Sequence, residues 1–411
     1  MAVIFPFRAW RPPAELAARV AAPPYDVLTS EEAREMARDN PLSFLHISKA
    51  EIELEPPAAA ADPRVSDLAA RNFARFCTGG TLRQDPRPAL YVYEQRTEDH
   101  GQTGIAAAFS LDEYEQGRIR KHELTRPDKV EDRIRHINAV NANTGPVFLT
   151  YRRREEIDAW VDEVRSTQPD TEFTAQDGVR HSVWVVSEMD QIRLLMVLFQ
   201  EVPLQYIADG HHRAAAADRV RELRRKNNPL HCGDEAYNLF LAVTFSDDQL
   251  RILGYHRIIK DLHGLSLQSL IEQLGEKFEI NNTSAPQPDR RGDFGMFLDG
   301  HWFRLRVKPE AVKSDDPEQG LDVSILQNHV LTPLLGIDDP RTSPRIDFVG
   351  GARGTAELER RCGLDAKLAF ALYPTGMDQL LAVADAGRSM PPKSTWFDPK
   401  LLSGLIVRTL V

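Results

Sequence analysis

The chain has 411 residues, of which 42% are hydrophobic and 27% are charged, and its formal net charge at pH 7 is −10. These values are typical of a soluble globular protein, and the length allows two or three domains. An acidic chain without a long basic run lacks the positively charged surface that phosphate backbones require, so we expect no nucleic acid as the main ligand.

The sequence also argues against a membrane protein and against a disulfide-rich one. It contains no run of eighteen apolar residues, and its first ten residues do not have the pattern of a signal peptide. Cys77, Cys232 and Cys362 are widely separated and form no C-x-x-C pair, which disfavours a disulfide framework or a structural zinc site. We therefore expect a cytoplasmic protein with no membrane partner, and the oligomeric state stays open.

The first predicted region, residues 1–151, mixes helices and strands. Ser30 as the N-cap, with Glu31 and Glu32 in the first turn, favours a helix there. Apolar alternation predicts strands further along the chain. The expected elements are helices over 30–38 and 65–77 and strands over 43–48, 90–95, 103–111 and 147–151.

The second predicted region, 152–262, alternates helices and strands, and the third, 263–411, is more irregular. In the third region, Asp299-Gly300 between two apolar runs is a strong hairpin signal. Taken together, the three regions predict an α+β fold. The expected helices cover 154–167, 190–199, 214–226, 266–278 and 323–335, and the expected strands cover 182–187, 204–208, 238–245, 252–259, 294–298 and 302–307, with a polar loop over 281–293.

The most informative motif lies at a predicted strand-to-helix turn and places a carboxylate, a glycine, two imidazoles and a guanidinium side by side. Backbone N–H groups and the dipole at a helix start attract anions, and an arginine can hold two phosphate oxygens. We expect a phosphate site here, with Asp209 as a base or a magnesium ligand and His212 as a donor or proton relay. The alternative is a polar turn with a histidine packed beneath the sheet. The residues are Asp209, Gly210, His211, His212 and Arg213.

A second charged cluster spans residues 121–136. Glu123 can supply a carboxylate, and Lys129 and Arg133 can supply positive charge to a phosphorylated ligand. The alternative is a solvated charged helix.

A third cluster follows two prolines near the C-terminus. Lys393, Ser394 and Thr395 are donors suited to an anion, but no glycine-rich lead precedes them, so they do not form a P-loop. The alternative is a rigid loop whose neighbouring aromatic side chains fill a hydrophobic gap.

These motifs together resemble a bacterial and archaeal family known as domain of unknown function ten-fifteen. The similarity covers nearly the whole chain, and the family name implies no activity. It is carried by Pro6-Phe7-Arg8-Ala9, Pro23-Pro24-Tyr25-Asp26-Val27, the segment from His122 to Arg133, Tyr206 to Arg213 and Met390 to Lys400.

The turn itself also resembles the ParB/sulfiredoxin superfamily, which includes free serine kinases. This resemblance implies a ParB/sulfiredoxin-like nucleotide-binding core over 152–262, in which Gly210, His212 and Arg213 hold phosphates of ATP or ADP with magnesium. It further implies that an acid, Asp209 or Glu123, activates a substrate hydroxyl. The leading hypothesis is a nucleotide-dependent phosphotransferase that acts on a small hydroxyl-bearing metabolite such as serine. The alternatives are a non-catalytic nucleotide-sensing module and a metal-dependent phosphoesterase.

Overall fold

The computed structural model describes residues 2–56, 58–59, 62–312 and 316–411. They form two compact units. Unit 1 comprises Met1–Arg120, Thr125–Leu250 and Pro399–Val411, and unit 2 comprises Lys121–Leu124 and Arg251–Asp398. Each unit is therefore assembled from segments that are distant in sequence. The division of the chain into domains 1–151, 152–262 and 263–411 stays a prediction.

Unit 1 contains nine helices and thirteen strands among the described residues. The helices are α1 (Ala17–Val20), α2 (Ser30–Ala37), α3 (Leu45–Ser48), α4 (Pro63–Thr78), α5 (Leu111–Glu115), α6 (Pro127–Val140), α7 (Glu155–Arg165), α8 (Met189–Gln200) and α9 (His211–Asn227). The strands are β1 (Ile4–Phe5), β2 (Trp10–Arg11), β3 (Arg83–Gln84), β4 (Leu90–Arg96), β5 (Gly101–Ser110), β6 (Ile119–Arg120), β7 (Ala142–Asn143), β8 (Val147–Tyr151), β9 (Thr171–Thr174), β10 (Arg180–Val186), β11 (Gln205–Asp209), β12 (Leu239–Ser246) and β21 (Arg408–Thr409).

A nine-stranded sheet is the framework of unit 1. Its order is β6-β11-β8-β12-β5-β4-β10-β9, with β1 paired to β5. The pairs β8–β12 and β6–β11 are parallel, and the other pairs are antiparallel. The inner strands are buried almost throughout, which explains their continuous apolar sequences. β11 lies near one edge, so the turn that follows it opens at that side of the sheet.

Unit 2 contains four helices and eight strands among its described residues. They are α10 (Leu267–Leu274), α11 (Asp322–Leu326), α12 (Gly354–Cys362), α13 (Met377–Asp385), β13 (Ile252–Leu253), β14 (Tyr255–Ile259), β15 (Phe278–Asn282), β16 (Asp293–Leu298), β17 (His301–Val307), β18 (Ile346–Gly350), β19 (Leu368–Leu372) and β20 (Trp396–Phe397).

The main sheet of unit 2 has the order β15-β17-β16-β19-β14-β18, and its strand pairs are antiparallel. The hairpin predicted at Asp299-Gly300 is confirmed, and both residues have positive φ. Separate helices and largely antiparallel sheets confirm the α+β class.

Several predicted elements are wrong in type or extent. The expected strand over 43–48 is the short helix α3, whose side chains pack into an apolar cluster with Phe44 and Phe76. The helix expected over 266–278 ends at Leu274, and β15 occupies the start of the expected polar loop. The helix expected over 323–335 is the short α11 followed by one turn of π-helix, and Pro333 has no backbone N–H to continue it.

Two helix starts also differ from the expectation. The N-cap of α2 is Thr29 rather than Ser30, because Thr29 and Glu32 form a reciprocal capping box. The helix expected to begin at Ala214 begins at His211.

All three cysteines are free. Within the described parts of the chain, every helix falls short of the length and apolarity needed to cross a bilayer.

Candidate functional site

The turn after β11 is tight because its glycine adopts a conformation that other residues avoid. β11 ends at Asp209, α9 begins at His211, and Gly210 between them has φ of 90°. A Cβ at this position would lie 3.4 Å from the backbone of Val147. The glycine thus lets the chain reverse from strand to helix within one residue, next to β8.

Helices α6 and α9 run side by side with their N-termini at the same end. The Arg126 N–H at the start of α6 donates to Nε2 of His212 at 3.0 Å, whereas the Arg224 side chain near the end of α9 donates to Asn141 beyond the end of α6 at 2.7 Å. The interface between them is apolar, with Ile137 and Val220 in its core. Two positive dipole ends therefore lie together, an arrangement that favours an anion.

The contact with Arg126 also sets the tautomer of His212. A neutral imidazole nitrogen that accepts a hydrogen bond carries no proton, so the proton of His212 lies on Nδ1. His211 is buried, whereas His212 is only partly covered.

Asp209 is held by a lysine from the C-terminal segment. Its Oδ2 accepts from Nζ of Lys400 at 2.7 Å, and its Oδ1 accepts from the Gly210 N–H at 2.8 Å. Burial alone would raise the pKa of Asp209, but Lys400, Arg213 and the Gly210 N–H together hold that pKa well below its usual range. The side chain is therefore an ionised carboxylate at neutral pH.

Two glutamines on the large sheet fix the backbone that carries Lys400. Gln95 on β4 and Gln102 on β5 lie opposite each other in register, and both side chains are buried. Gln95 donates to the carbonyl of Lys400 at 2.8 Å, and Gln102 donates to the carbonyl of Pro399 at 3.2 Å. The segment that supplies Lys400 is thus anchored by side-chain hydrogen bonds to the sheet.

A small cavity of about 30 Å³ lies beside Arg213, and we call it the Tyr25 pocket. The guanidinium carbon of Arg133 lies 3.9 Å from the centre of the Tyr25 ring, and that of Arg213 lies 5.6 Å from it. The residues that define the pocket are Tyr25, Ser48, Arg133, His136, Arg213 and Ser403.

Each arginine of the Tyr25 pocket has a fixed orientation. Nη1 of Arg213 donates to the carbonyl of Pro146 at 2.8 Å, and Nε of Arg133 donates to Asp132 at 3.0 Å. A Cβ on Gly145 would lie 2.8 Å from Nη1 of Arg213, so the glycine leaves the space that this guanidinium occupies. The guanidinium groups of both arginines are therefore held in position by hydrogen bonds and neighbouring atoms, and do not project freely into solvent.

The other titratable groups of the pocket are neutral at physiological pH. Burial raises the pKa of Tyr25 to about 12, although both arginines act in the opposite direction. Burial, assisted by Arg133 and Arg213, lowers the pKa of His136 well below its usual value, and its Nε2 lies 3.0 Å from Oγ1 of Thr144. The positive charge of the pocket therefore comes from its arginines.

Asp209 also satisfies the minimum requirement for binding magnesium. Among the described residues, each of its oxygens accepts one hydrogen bond, and a carboxylate oxygen has a second lone pair. Magnesium is commonly held by one or two carboxylates together with water and substrate phosphates. Asp209 is thus a suitable single protein ligand for a magnesium ion that also binds phosphate.

The predicted residues of the third cluster, and Glu123, belong to unit 2. The Lys393 N–H donates to Glu123 at 3.4 Å, and Lys393 has φ of 59°. Ser394 is buried, and its hydroxyl donates to the carbonyl of Pro391 at 2.6 Å. The buried Arg257 donates to the carbonyls of Pro392 and Lys393. The loop is thus tightly bonded within unit 2, and anion binding by Lys393, Ser394 and Thr395 stays a prediction.

The structure brings together only part of the predicted set. Asp209, Gly210, His212 and Arg213 meet at the start of α9, while Arg133 joins Arg213 at the Tyr25 pocket. Lys129 is exposed in the first turn of α6.

The residues of this site that the sequence reasoning missed include Tyr25, Lys400 and Ser48. Tyr25 lies in the Pro-Pro-Tyr-Asp motif and Lys400 ends the C-terminal motif, and these two family motifs could have pointed to both residues. Ser48 had no such signal, since its segment was expected to be a strand.

The comparisons with known proteins are consistent with the motif resemblance. A family model described as "Protein of unknown function (DUF1015)" matches residues 4–324. None of the curated proteins matches the sequence.

Solved structures show weaker similarity. A free serine kinase in complex with AMP is 13% identical with a TM-score of 0.37 over 74% of this chain and 92% of that one. A conserved hypothetical protein from Pyrococcus furiosus is 14% identical, with a TM-score of 0.35 over 74% and 95% of the two chains. SbnI with a C-terminal truncation, from Staphylococcus aureus, is 13% identical, with a TM-score of 0.38 over 73% and 86%. TM-scores below 0.5 do not by themselves establish a shared activity.

Proposed function

The chain belongs to the DUF1015 family, whose description assigns no activity, and we propose from the geometry of unit 1 that it is a nucleotide-dependent phosphotransferase. Its acceptor is a small hydroxyl-bearing metabolite such as serine, and its donor is ATP or ADP. The observation that carries the proposal is the convergence of two helix N-termini, Arg213 and the Lys400–Asp209 pair at one turn. Phosphoryl transfer depends mainly on positioning and charge stabilisation, which these groups supply.

The groups around the turn have distinct roles in this proposal. Arg213 offers a planar fork to phosphate oxygens, and the start of α9 supplies backbone N–H groups. His212 can donate from Nδ1, because its Nε2 is occupied by Arg126. Lys400 carries positive charge to the same place.

Asp209 is better suited to orienting charge than to accepting the substrate proton. A general base works best with a pKa near the working pH, whereas the pKa of Asp209 is held far lower by Lys400 and Arg213. We therefore assign two roles to Asp209: it orients Lys400, and it would bind magnesium. A bound magnesium ion would neutralise phosphate charge. Glu123 stays the other predicted acid, and replacing it with glutamine tests that role directly.

Replacing Arg213 with alanine tests the phosphate-binding proposal. We expect the affinity for ADP, measured by isothermal titration calorimetry with magnesium, to fall at least a hundredfold, because a bidentate charged contact is lost. Arg213→Lys should recover only part of it, since an ammonium cannot form the fork. Arg219→Ala is the matched control, because Arg219 lies on the same helix and is 59% exposed. Equal ADP affinity in all variants would refute the proposal.

Turnover separates the phosphotransferase from its two alternatives. A phosphotransferase should consume ATP or ADP only when an acceptor is added. A nucleotide sensor should bind nucleotide without consuming it, and a metal-dependent phosphoesterase using His211 and Asp209 should retain a transition metal and hydrolyse phosphoesters without an acceptor.

A further inference from the structure

The Tyr25 pocket contains a buried hydroxyl that the protein itself does not satisfy. Ser48, the last residue of α3, is 4% exposed, and its Oγ has no hydrogen-bond partner among the described residues. Leaving a buried polar group without a partner is costly, so the presence of this hydroxyl at a cavity wall indicates a ligand that bonds to it there.

The charge of the same cavity indicates an anion. Arg133 and Arg213 both line it, while no Asp or Glu does so among the described residues. Asp132 does not line the cavity, and its Oδ2 accepts a hydrogen bond from Nη2 of Arg133 at 2.6 Å. His136 is neutral and adds no charge, so the lining is positive overall.

The size of the cavity limits which anion it accepts. About 30 Å³ of the cavity is open to the centres of water-sized atoms, and one water needs roughly 10–15 Å³ of such space, so the cavity has room for only a few non-hydrogen atoms. A planar carboxylate, with three heavy atoms, is the smallest common anionic group of metabolites. A phosphoryl group is tetrahedral and larger, and a ribose or a base is far larger.

We infer that the Tyr25 pocket binds the carboxylate of the acceptor, so that the substrate class is a small hydroxy acid or hydroxy amino acid. The Ser48 hydroxyl donates to one carboxylate oxygen, and Arg133 donates to the carboxylate from Nη1, since its Nε and Nη2 donate to Asp132. Arg213 belongs to the first turn of α9 and also lines this pocket, and would thus place the acceptor next to the nucleotide phosphates. The assignment of acceptor rests on the proposed phosphotransferase function, whereas carboxylate binding itself does not need a nucleotide.

Calorimetry on the full chain tests this inference with two pairs of probes. L-serine and D-glycerate carry a carboxylate, whereas serinol and glycerol keep the hydroxyl groups and lack it. We expect the acids to bind at least tenfold more tightly than the matched alcohols, since charge-assisted hydrogen bonds are lost in the alcohols. Equal affinity within each pair, or no binding of either acid, would overturn the inference and leave an ordered water as the occupant.

Ser48→Ala is the informative variant because Oγ of Ser48 makes no hydrogen bond among the described residues. We expect the affinity for the acids to fall about tenfold while the melting temperature is unchanged or rises. Arg133→Gln should weaken binding further, although it also removes the contact with Tyr25. Ser166→Ala, which removes an exposed hydroxyl at the end of α7, is the control. Undiminished acid binding in Ser48→Ala would refute the role of this hydroxyl and with it the site.

Two further titrations separate the possible failures. In one outcome, orthophosphate binds to the protein, Ser48→Ala abolishes that binding, and the acids do not bind. The pocket would then be a phosphate site, and the carboxylate assignment would be wrong. ADP binding should be unchanged in Ser48→Ala. A chain that binds the acids but not ADP contradicts the proposed function alone, and one that binds ADP but neither acid contradicts this inference alone.

Discussion

At the scale of single residues, the site depends on side chains whose properties are set by their immediate neighbours. Asp209 is a low-pKa carboxylate because Lys400 and Arg213 surround it, and His136 is neutral because it is buried beside two arginines. Neither property follows from the residue type. The sequence indicated that Asp209 and Arg213 act together, but it left the role of Asp209 open between base and metal ligand.

The pair of Asp209 and Lys400 should make stability depend on pH. The folded pKa of Asp209 is lowered, so the pair stabilises the folded state above the ordinary carboxyl pKa of about 4 and loses this contribution as the pH falls. Because Asp209 is 37% exposed, we expect Asp209→Asn to cost only about 1 kcal/mol at pH 7. Urea unfolding at pH 7 and pH 3 checks this. The cost should shrink at pH 3, and the fully exposed Asp190→Asn is the control, with little effect expected at pH 7.

Gly145 should be sensitive to the addition of one methyl group. The new Cβ would lie 2.8 Å from both Nη1 of Arg213 and Oγ of Ser403, so the guanidinium must move. We expect Gly145→Ala to weaken ADP binding about tenfold, measured by calorimetry, and to lower stability by about 1–3 kcal/mol through overpacking. Gly101→Ala is the control, since its nearest neighbour would be 3.7 Å away. An unaltered ADP affinity in Gly145→Ala would show that the position of Arg213 does not matter.

At the scale of elements, the site is made where strand ends and helix starts meet. β11 delivers Asp209, α9 begins two residues later, and α6 lies alongside with its own N-terminus. Most long elements could be predicted, because their apolar periodicity reports directly on burial. The errors lie in short segments such as α3 and the π-turn after α11, where tertiary packing outweighs local preference.

The glutamines of β4 and β5 should act as positioning residues for Lys400. Gln95→Met keeps the side-chain volume but leaves the buried Lys400 carbonyl without its donor. We expect a loss of about 1–3 kcal/mol in urea unfolding and, because Lys400 is less fixed, a rise in the pKa of Asp209 followed by NMR titration. Gln200→Met at the exposed end of α8 should change neither quantity. A destabilised Gln95→Met with an unmoved Asp209 pKa would indicate a purely structural role.

At the scale of the whole molecule, the chain returns to unit 1 after completing unit 2. The last thirteen residues, Pro399–Val411, belong to unit 1, where β21 pairs with β7. This segment contributes Lys400 to the site and a row of buried apolar side chains to the core. They are Leu401, Leu402, Leu405, Ile406, Val407 and Leu410.

A chain that ends at Asp398 should therefore fail to form a stable unit 1. Burial of a large apolar side chain contributes about 1.5–3 kcal/mol, so the loss of this segment is on the order of 10 kcal/mol and matches the whole stability of a typical domain. Near-UV circular dichroism and thermal melting of the shortened chain check the expectation. Removing only Val411, which is 90% exposed, is the control and should leave the melting temperature unchanged. A cooperative melt for the chain ending at Asp398 would contradict it.

The sequence by itself determined the α+β class, most long helices and strands, and the turn at Gly210, because periodicity and glycine chemistry are local properties. The family resemblance rested on the same local motifs. Only the tertiary structure decided that Lys400 and Tyr25 join Arg213, and that Ser48 faces a cavity between arginines. These residues lie far apart along the chain. Their meeting depends on the strand order of the sheet and on side-chain anchors such as Gln95, which no local pattern records.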